Sequence, residues 1–276
     1  MKVYFIGAGP GATDLITLRG ANILGRVPMV LYAGSLVPAA MLVHCRADAE
    51  IFDTAALDLE QQEACYRRAQ LEDFDVARLH SGDPAIYGAT AEQMRRLELL
   101  GIEYEVVPGV SSFSAAAAVV KAELTKPEVS QTVILTRVSG RASAVPEAEA
   151  IEKLAQHKAT MCIFLSGPHL KKIVADLRLH YPDDTPVRLV YRATWPEEKT
   201  YEGTLGTIIK DTKRGEWSLT TMMLVGAALG NGAQVESRLY DKDYSHIFRV
   251  VKKRKQKEVA QKSVEDNAQD GKKELV

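Results

Sequence analysis

The sequence predicts an α/β protein: two α/β domains, each a parallel or mixed sheet flanked by helices, with an active-site cleft between them. Three observations predict it. Apolar runs of strand length alternate with helical patterns through most of the chain, the signature of βαβ units. The first such run passes directly into a glycine turn, Gly7-Ala8-Gly9-Pro10-Gly11. A stretch around 121–130, with Lys, Glu and Pro127 but no apolar period, interrupts the alternation before it resumes.

The elements follow in order. Residues 3–7 read as a strand, 15–24 as a helix and 29–33 as a strand. Residues 58–70 read as a helix, 76–80 as a strand, and 89–100 as a helix that stops at Gly101. A strand at 104–107 is closed by Pro108-Gly109, and an Ala-rich helix spans 111–120 with serine as its N-cap. After the break, strands are expected at 132–135, 161–165, 187–191 and 221–225, and helices at 147–156, 170–179 and 204–212. The implied organisation is an N-terminal domain over 1–122, a linker over 123–130 and a C-terminal domain over 131–250. From 251 the chain turns highly charged, with Lys252-Lys253-Arg254-Lys255 followed by mixed acids and bases, a composition that buries too little apolar surface to order itself.

Composition narrows the function classes. A chain of 276 residues, 46% hydrophobic and 26% charged, has an ordinary globular balance. A net charge of -1 gives no general attraction to nucleic acid or an anionic membrane. Cys45, Cys65 and Cys162 are widely spaced and form no C-x-x-C or Cys/His cluster, so neither a disulfide framework nor a metal site is indicated. With no signal-peptide pattern before the first strand and no apolar run near the ~20 residues of a membrane span, the expected location is cytoplasmic.

The glycine turn raises a specific question. Gly7, Gly9 and Ala12 fit the G-x-G-x-x-G/A spacing of a dinucleotide-binding loop. That loop requires an acidic side chain about 20 residues on to hold the ribose, yet no Asp or Glu lies between Asp14 and Asp48. Pro10 also has no N–H to give a pyrophosphate. The turn therefore points to a ligand at the strand ends and away from NAD or FAD. Three further strand ends carry glycine, proline or small hydroxyl residues: His80 to Gly88, Val107 to Ser112, and Tyr191 to Pro196. Each alone reads as a turn. Together they mark the edge where open α/β sheets bind ligands.

Gly7 to Gly11, Gly82-Asp83-Pro84 with Tyr87-Gly88, and Val107-Pro108-Gly109-Val110-Ser111-Ser112 resemble the tetrapyrrole (corrin/porphyrin) methylase family. Within it, the stretch from Leu124 to Arg137, Tyr191 to Pro196, and Leu239-Tyr240-Asp241-Lys242 with His246 and Phe248-Arg249 resemble the members that methylate precorrin-4 at carbon 11 in cobalamin biosynthesis. The late motif leans toward the cobalt-containing branch.

The resemblance implies S-adenosylmethionine as methyl donor, S-adenosylhomocysteine as product, a precorrin-type tetrapyrrole as substrate, and a homodimer. It also implies roles for named residues. Pro10, Gly82, Asp83, Ile86, Ser111, Ser112, Ser166 and Ala193 would hold the cofactor, with Gly9 beside the substrate. Many relatives have Met at the position of Ser166. Asp83 reads either as a cofactor ligand or base, or as the N-cap of a helix opened by Pro84. His80 reads as a hydrogen-bonded core histidine or a substrate contact. Tyr87 either packs on the bound molecules or sits in the core.

Arg137, Arg141 and Arg192 are the candidates for the substrate's carboxylates, because the guanidinium fork suits bidentate recognition; the alternative for each is a solvated surface arginine. Residues 138–146 read as a flap over the tetrapyrrole, and Trp195 as a packing residue. No catalytic base stands out. Methylation of another ring carbon, and a dinucleotide-dependent oxidoreductase, are the alternatives.

Overall fold

The structure is a computed structural model that describes residues 1–139, 144–213, 215–230, 237, 241–242 and 244–250. It divides into two compact units, Met1–Gly232 and Ala233–Val276. The charged stretch from 251 lies outside the described residues, as do Arg141 and the middle of the expected flap.

The first unit contains two five-stranded sheets. In the first, β1 (Lys2–Gly7), β2 (Met29–Tyr32), β3 (Glu50–Asp53), β4 (Val76–His80) and β5 (Glu103–Val107) stand in the order β3-β2-β4-β1-β5. Every pairing is parallel. Helices α1 (Leu18–Leu24), α2 (Leu59–Leu71) and α3 (Thr90–Leu99) supply the crossovers. Both faces are buried, as a parallel sheet requires. Side chains alternate along β1 accordingly: Val3 and Phe5 pack with Tyr66 and Leu97, while Tyr4 and Ile6 pack with Ile23, Leu24 and Met41. Asp58 and Gln61 form a reciprocal capping box that fixes the start of α2.

The second sheet is mixed. Its strands are β6 (Val133–Arg137), β7 (Thr160–Phe164), β8 (Pro186–Tyr191), β9 (Lys199–Thr204) and β10 (Thr221–Val225), in the order β6-β7-β10-β8-β9. Only β6 and β7 run parallel; β10 is antiparallel to β7 and β8, and β8 to β9. One face packs with α5 (Ile151–Ala155) and α6 (Leu170–Leu177) through Met161, Ile163, Ile173 and Leu177. The other face takes α4 (Ser112–Val119), which follows the first sheet in sequence. Its Ala115, Ala116 and Ala117 lie against Cys162, Val190 and Leu224. These small side chains let the helix approach the sheet closely.

Several expectations need correction. The helix expected over 15–24 is a short 3-10 turn at Thr13–Leu15 followed by α1, and that over 147–156 is divided in the same way, with a turn at Glu147–Glu149 before α5. The stretch 204–212 contains only the one-turn helix α7 (Ile208–Asp211). Strands β3 and β9 were not expected. Both are edge strands with charged or polar positions, Glu50 and Asp53 in one and Lys199 and Glu202 in the other, and edges are kept polar to prevent further pairing. In the second unit, Arg249 donates to the carbonyls of Asp241 (2.5 Å) and Tyr244 (3.2 Å), and a bridge joins His246 to Arg249.

Candidate active site

Because β4, β1 and β5 are neighbours, their carboxyl ends deliver three of the singled-out loops to one place. The glycine turn and the loop after β4 pair as a short bridge: Gly82 N–H donates to Gly9 O (2.8 Å) and Gly9 N–H to Gly82 O (3.2 Å). The loop after β5 closes on both. A Cβ at Gly109 would lie 2.2 Å from Gly82 O and 2.7 Å from Gly7 Cα, so only glycine allows this approach.

Asp83 locks the arrangement. One carboxylate oxygen accepts from Gly109 N–H (3.0 Å) and the other from Ala85 N–H (2.7 Å). Pro84 opens a turn and not a helix; α3 begins at Thr90, so Asp83 ties two loops together and caps no helix.

His80 ends β4 and is 4% exposed, its ring 5.7 Å from that of Phe5 and hydrogen-bonded to the Gly88 backbone. Burial, and then the nearby Arg78 guanidinium, push its pKa down to about 3. Its Nε2 has no partner among the described residues. The imidazole is therefore neutral at ordinary pH and packed inside the first sheet's core.

The second sheet contributes the opposite wall through the loop after β8. Trp195 Nε1 donates to Pro10 O (2.8 Å) and Ala12 N–H donates to Thr194 Oγ1 (2.9 Å). A Cβ at Gly11 would fall 2.2 Å from Trp195 Cδ1. The indole is thus a bolt between the loop after β8 and the glycine turn. Four non-glycine residues near the join have positive φ: Tyr87 (55°), Leu165 (56°), Arg192 (46°) and Thr194 (70°). For a β-branched residue such as Thr194 this is a marked departure from favoured backbone.

Between these walls lies a cavity of about 270 Å³. Pro10, Gly82, Ile86, Tyr87 and Ser112 line it from the first sheet's side, and Arg137, Arg192 and Ala193 from the second. Tyr87 packs edge-on to Phe164 with ring centroids 5.0 Å apart, and the Arg137 guanidinium lies 5.9 Å from the Tyr87 ring. The remaining candidates sit behind the lining. Gly9 is held in the bridge to Gly82, and Ser111 is buried at the start of α4. Ser166 is buried with its hydroxyl donating to Thr221 O (3.0 Å).

Leu36, Phe164, Thr220, Thr221 and Met222 also line the cavity and had not been singled out. The antiparallel direction of β10 explains the last three. Its amino end, not its carboxyl end, reaches the edge shared by β7 and β8, with Thr221 beside Tyr191.

Fold and cavity together define a two-sheet α/β protein with a cavity where the loops of both sheets meet. Among the described residues, no helix is long and apolar enough to cross a membrane. The chain belongs to the tetrapyrrole (corrin/porphyrin) methylase family, whose profile matches residues 2–209. It is 47% identical over 249 residues to a precorrin-4 C(11)-methyltransferase of Pseudomonas aeruginosa, covering 90% of this chain and 99% of that one. It is 42% identical over 254 residues to a cobalt-precorrin-4 C(11)-methyltransferase of Methanocaldococcus jannaschii, covering 92% and 98%. The X-ray structure of a cobalt precorrin-4 methyltransferase, a cobalamin biosynthetic enzyme, superposes with a TM-score of 0.80 at 43% identity, over 83% of this chain and 96% of that one.

Proposed function

We propose that this protein transfers a methyl group from S-adenosylmethionine to carbon 11 of precorrin-4, or of its cobalt complex, in cobalamin biosynthesis. The observation that carries the reading is the make-up of the cavity. Two arginines, Arg137 and Arg192, stand on the wall supplied by the second sheet, and the wall facing them is uncharged and closed by glycine backbone. A precorrin is a macrocycle edged with acetate and propionate groups, which guanidinium forks recognise well. The uncharged wall suits a neutral purine and its ribose.

On this reading Pro10, Gly82, Ile86, Ser112 and Ala193 hold the methyl donor, while Tyr87, Arg137 and Arg192 hold the macrocycle. Gly9, Asp83, Ser111 and Ser166 act through the backbone they fix. The donor supplies a methyl group already activated by a sulfonium charge. The chain's own task is then alignment and exclusion of water, and positioning of this kind is worth about 7–11 kcal/mol. His80 is read as a packing residue and not as the base, because burial and the Arg78 guanidinium hold its pKa down. We further read the protein as a cytoplasmic homodimer; Cys45, Cys65 and Cys162 are free thiols, as a reducing compartment allows.

The dinucleotide alternative is disfavoured at a specific place. The strand that should end in the ribose-binding acid, β2, ends at Tyr32, and no Asp or Glu lies between Asp14 and Asp48. Thermal unfolding with each ligand separates the two readings. S-adenosylhomocysteine at about 100 times its Kd should stabilise the fold by about 2.7 kcal/mol, with NAD giving no shift. Stabilisation by NAD alone would reject the proposal.

A further inference from the structure

The loop that follows β8 carries a carboxylate of its own for the arginine on the cavity wall. The Arg192 guanidinium carbon lies 4.9 Å from the Trp195 ring centroid and 5.6 Å from that of Tyr191. Trp195 is pinned to the glycine turn through Pro10 O, so this platform is fixed. On it, Arg192 Nη1 stands 3.3 Å from Oε1 of Glu197, with the two side chains 33% and 58% exposed.

The Nε of the same guanidinium is buried and has no hydrogen-bond partner among the described residues. A guanidinium binds a carboxylate best as a fork, with two N–H groups meeting two oxygens. One long contact to Glu197 leaves that capacity unused. With Nε buried, an incoming carboxylate forms that fork at the Nη1/Nη2 end, where Glu197 already meets Nη1.

We propose that Glu197 is a specificity latch, competing with a carboxylate of the tetrapyrrole for Arg192. This rests on the reading of Arg192 as a substrate ligand given above. A ligand with a carboxylate placed to take both Nη groups exchanges with Glu197. A ligand without one meets a wall whose charge is already satisfied, which is discrimination by competition as well as by attraction.

The test uses uroporphyrin, a stable polycarboxylate tetrapyrrole, titrated by fluorescence into the full chain. Wild type, Glu197→Gln, Arg192→Gln and the double variant are compared. Glu197→Gln should bind uroporphyrin about two- to five-fold more tightly, the range that a largely exposed ion pair controls. Its affinity for S-adenosylhomocysteine should not change, and the gain should vanish in the Arg192→Gln background. Glu197→Ala provides the same reading if Glu197→Gln does not fold. Equal or weaker uroporphyrin binding without the Glu197 carboxylate, or a gain that persists without Arg192, overturns the latch. Failure of every form to bind uroporphyrin while S-adenosylhomocysteine still binds counts against the tetrapyrrole reading itself, and the latch falls with it.

Discussion

Asp83 shows how a polar residue behind a cavity wall can act on it through the backbone. Its two oxygens hold N–H groups of two loops that meet nowhere else in sequence, Ala85 after β4 and Gly109 after β5. An asparagine offers a single side-chain acceptor, so Asp83→Asn gives up one of these charge-assisted bonds. We expect a loss of about 1–3 kcal/mol in urea unfolding, weaker binding of S-adenosylhomocysteine, and turnover at saturating ligand close to wild type. Normal cofactor affinity with turnover abolished would make Asp83 a chemical participant.

His80 gives a second test at this scale. Its pKa of about 3 lies below the ordinary 6.5 expected when unfolded, so between those values the unfolded chain binds more protons than the folded one. The stability associated with the neutral ring is therefore complete above about pH 6.5. It is lost on acidification toward pH 3, at about 1.4 kcal/mol per pH unit from this group. Urea unfolding of His80→Gln between about pH 4 and 7 should show a shallower pH dependence than wild type. An unchanged slope would mean that His80 titrates normally.

At the scale of elements, the site depends on three strand ends meeting closely enough to exclude side chains. Gly109→Ala places a methyl against Gly82 O and Gly7 Cα, both backbone atoms that cannot rotate away. The expected cost is about 1–3 kcal/mol, read as a lower urea midpoint, together with weaker cofactor binding. Wild-type stability and affinity would show that the loops can separate without consequence.

This wall was the legible part of the site. Strands β4 and β10 have the bounds their apolar runs predict, and the three loops singled out for their glycine, proline and serine residues meet at one edge of the first sheet. The second wall was less legible because a strand's direction leaves no trace in its own residues. Thr220, Thr221 and Met222 reach the cavity only because β10 runs against β7 and β8. Trp195 read as packing, since nothing local announces a hydrogen bond to Pro10 on a distant turn. Edge strands β3 and β9 were hidden by the polarity that protects them.

In the molecule as a whole, two sheets of different topology share the unit Met1–Gly232. The alanine face of α4 seats on the second sheet, and Trp195 and Thr194 bond to the glycine turn of the first. The strained residues Arg192 and Thr194 belong to this join, each costing about 1–3 kcal/mol that the contacts across it must offset. Strain held beside the cavity fits the proposed task of alignment. It also ties the proposed chemistry to one place, where a donor held by the first sheet's loops and Ala193 would meet a macrocycle held by Tyr87, Arg137 and Arg192.

The most direct test of that claim is to incubate the protein with S-adenosylmethionine carrying a 13C-labelled methyl group and with precorrin-4, with and without cobalt, and to locate the label by NMR. The account predicts one labelled methyl on carbon 11. A methyl on any other carbon, or no transfer in either form, contradicts it.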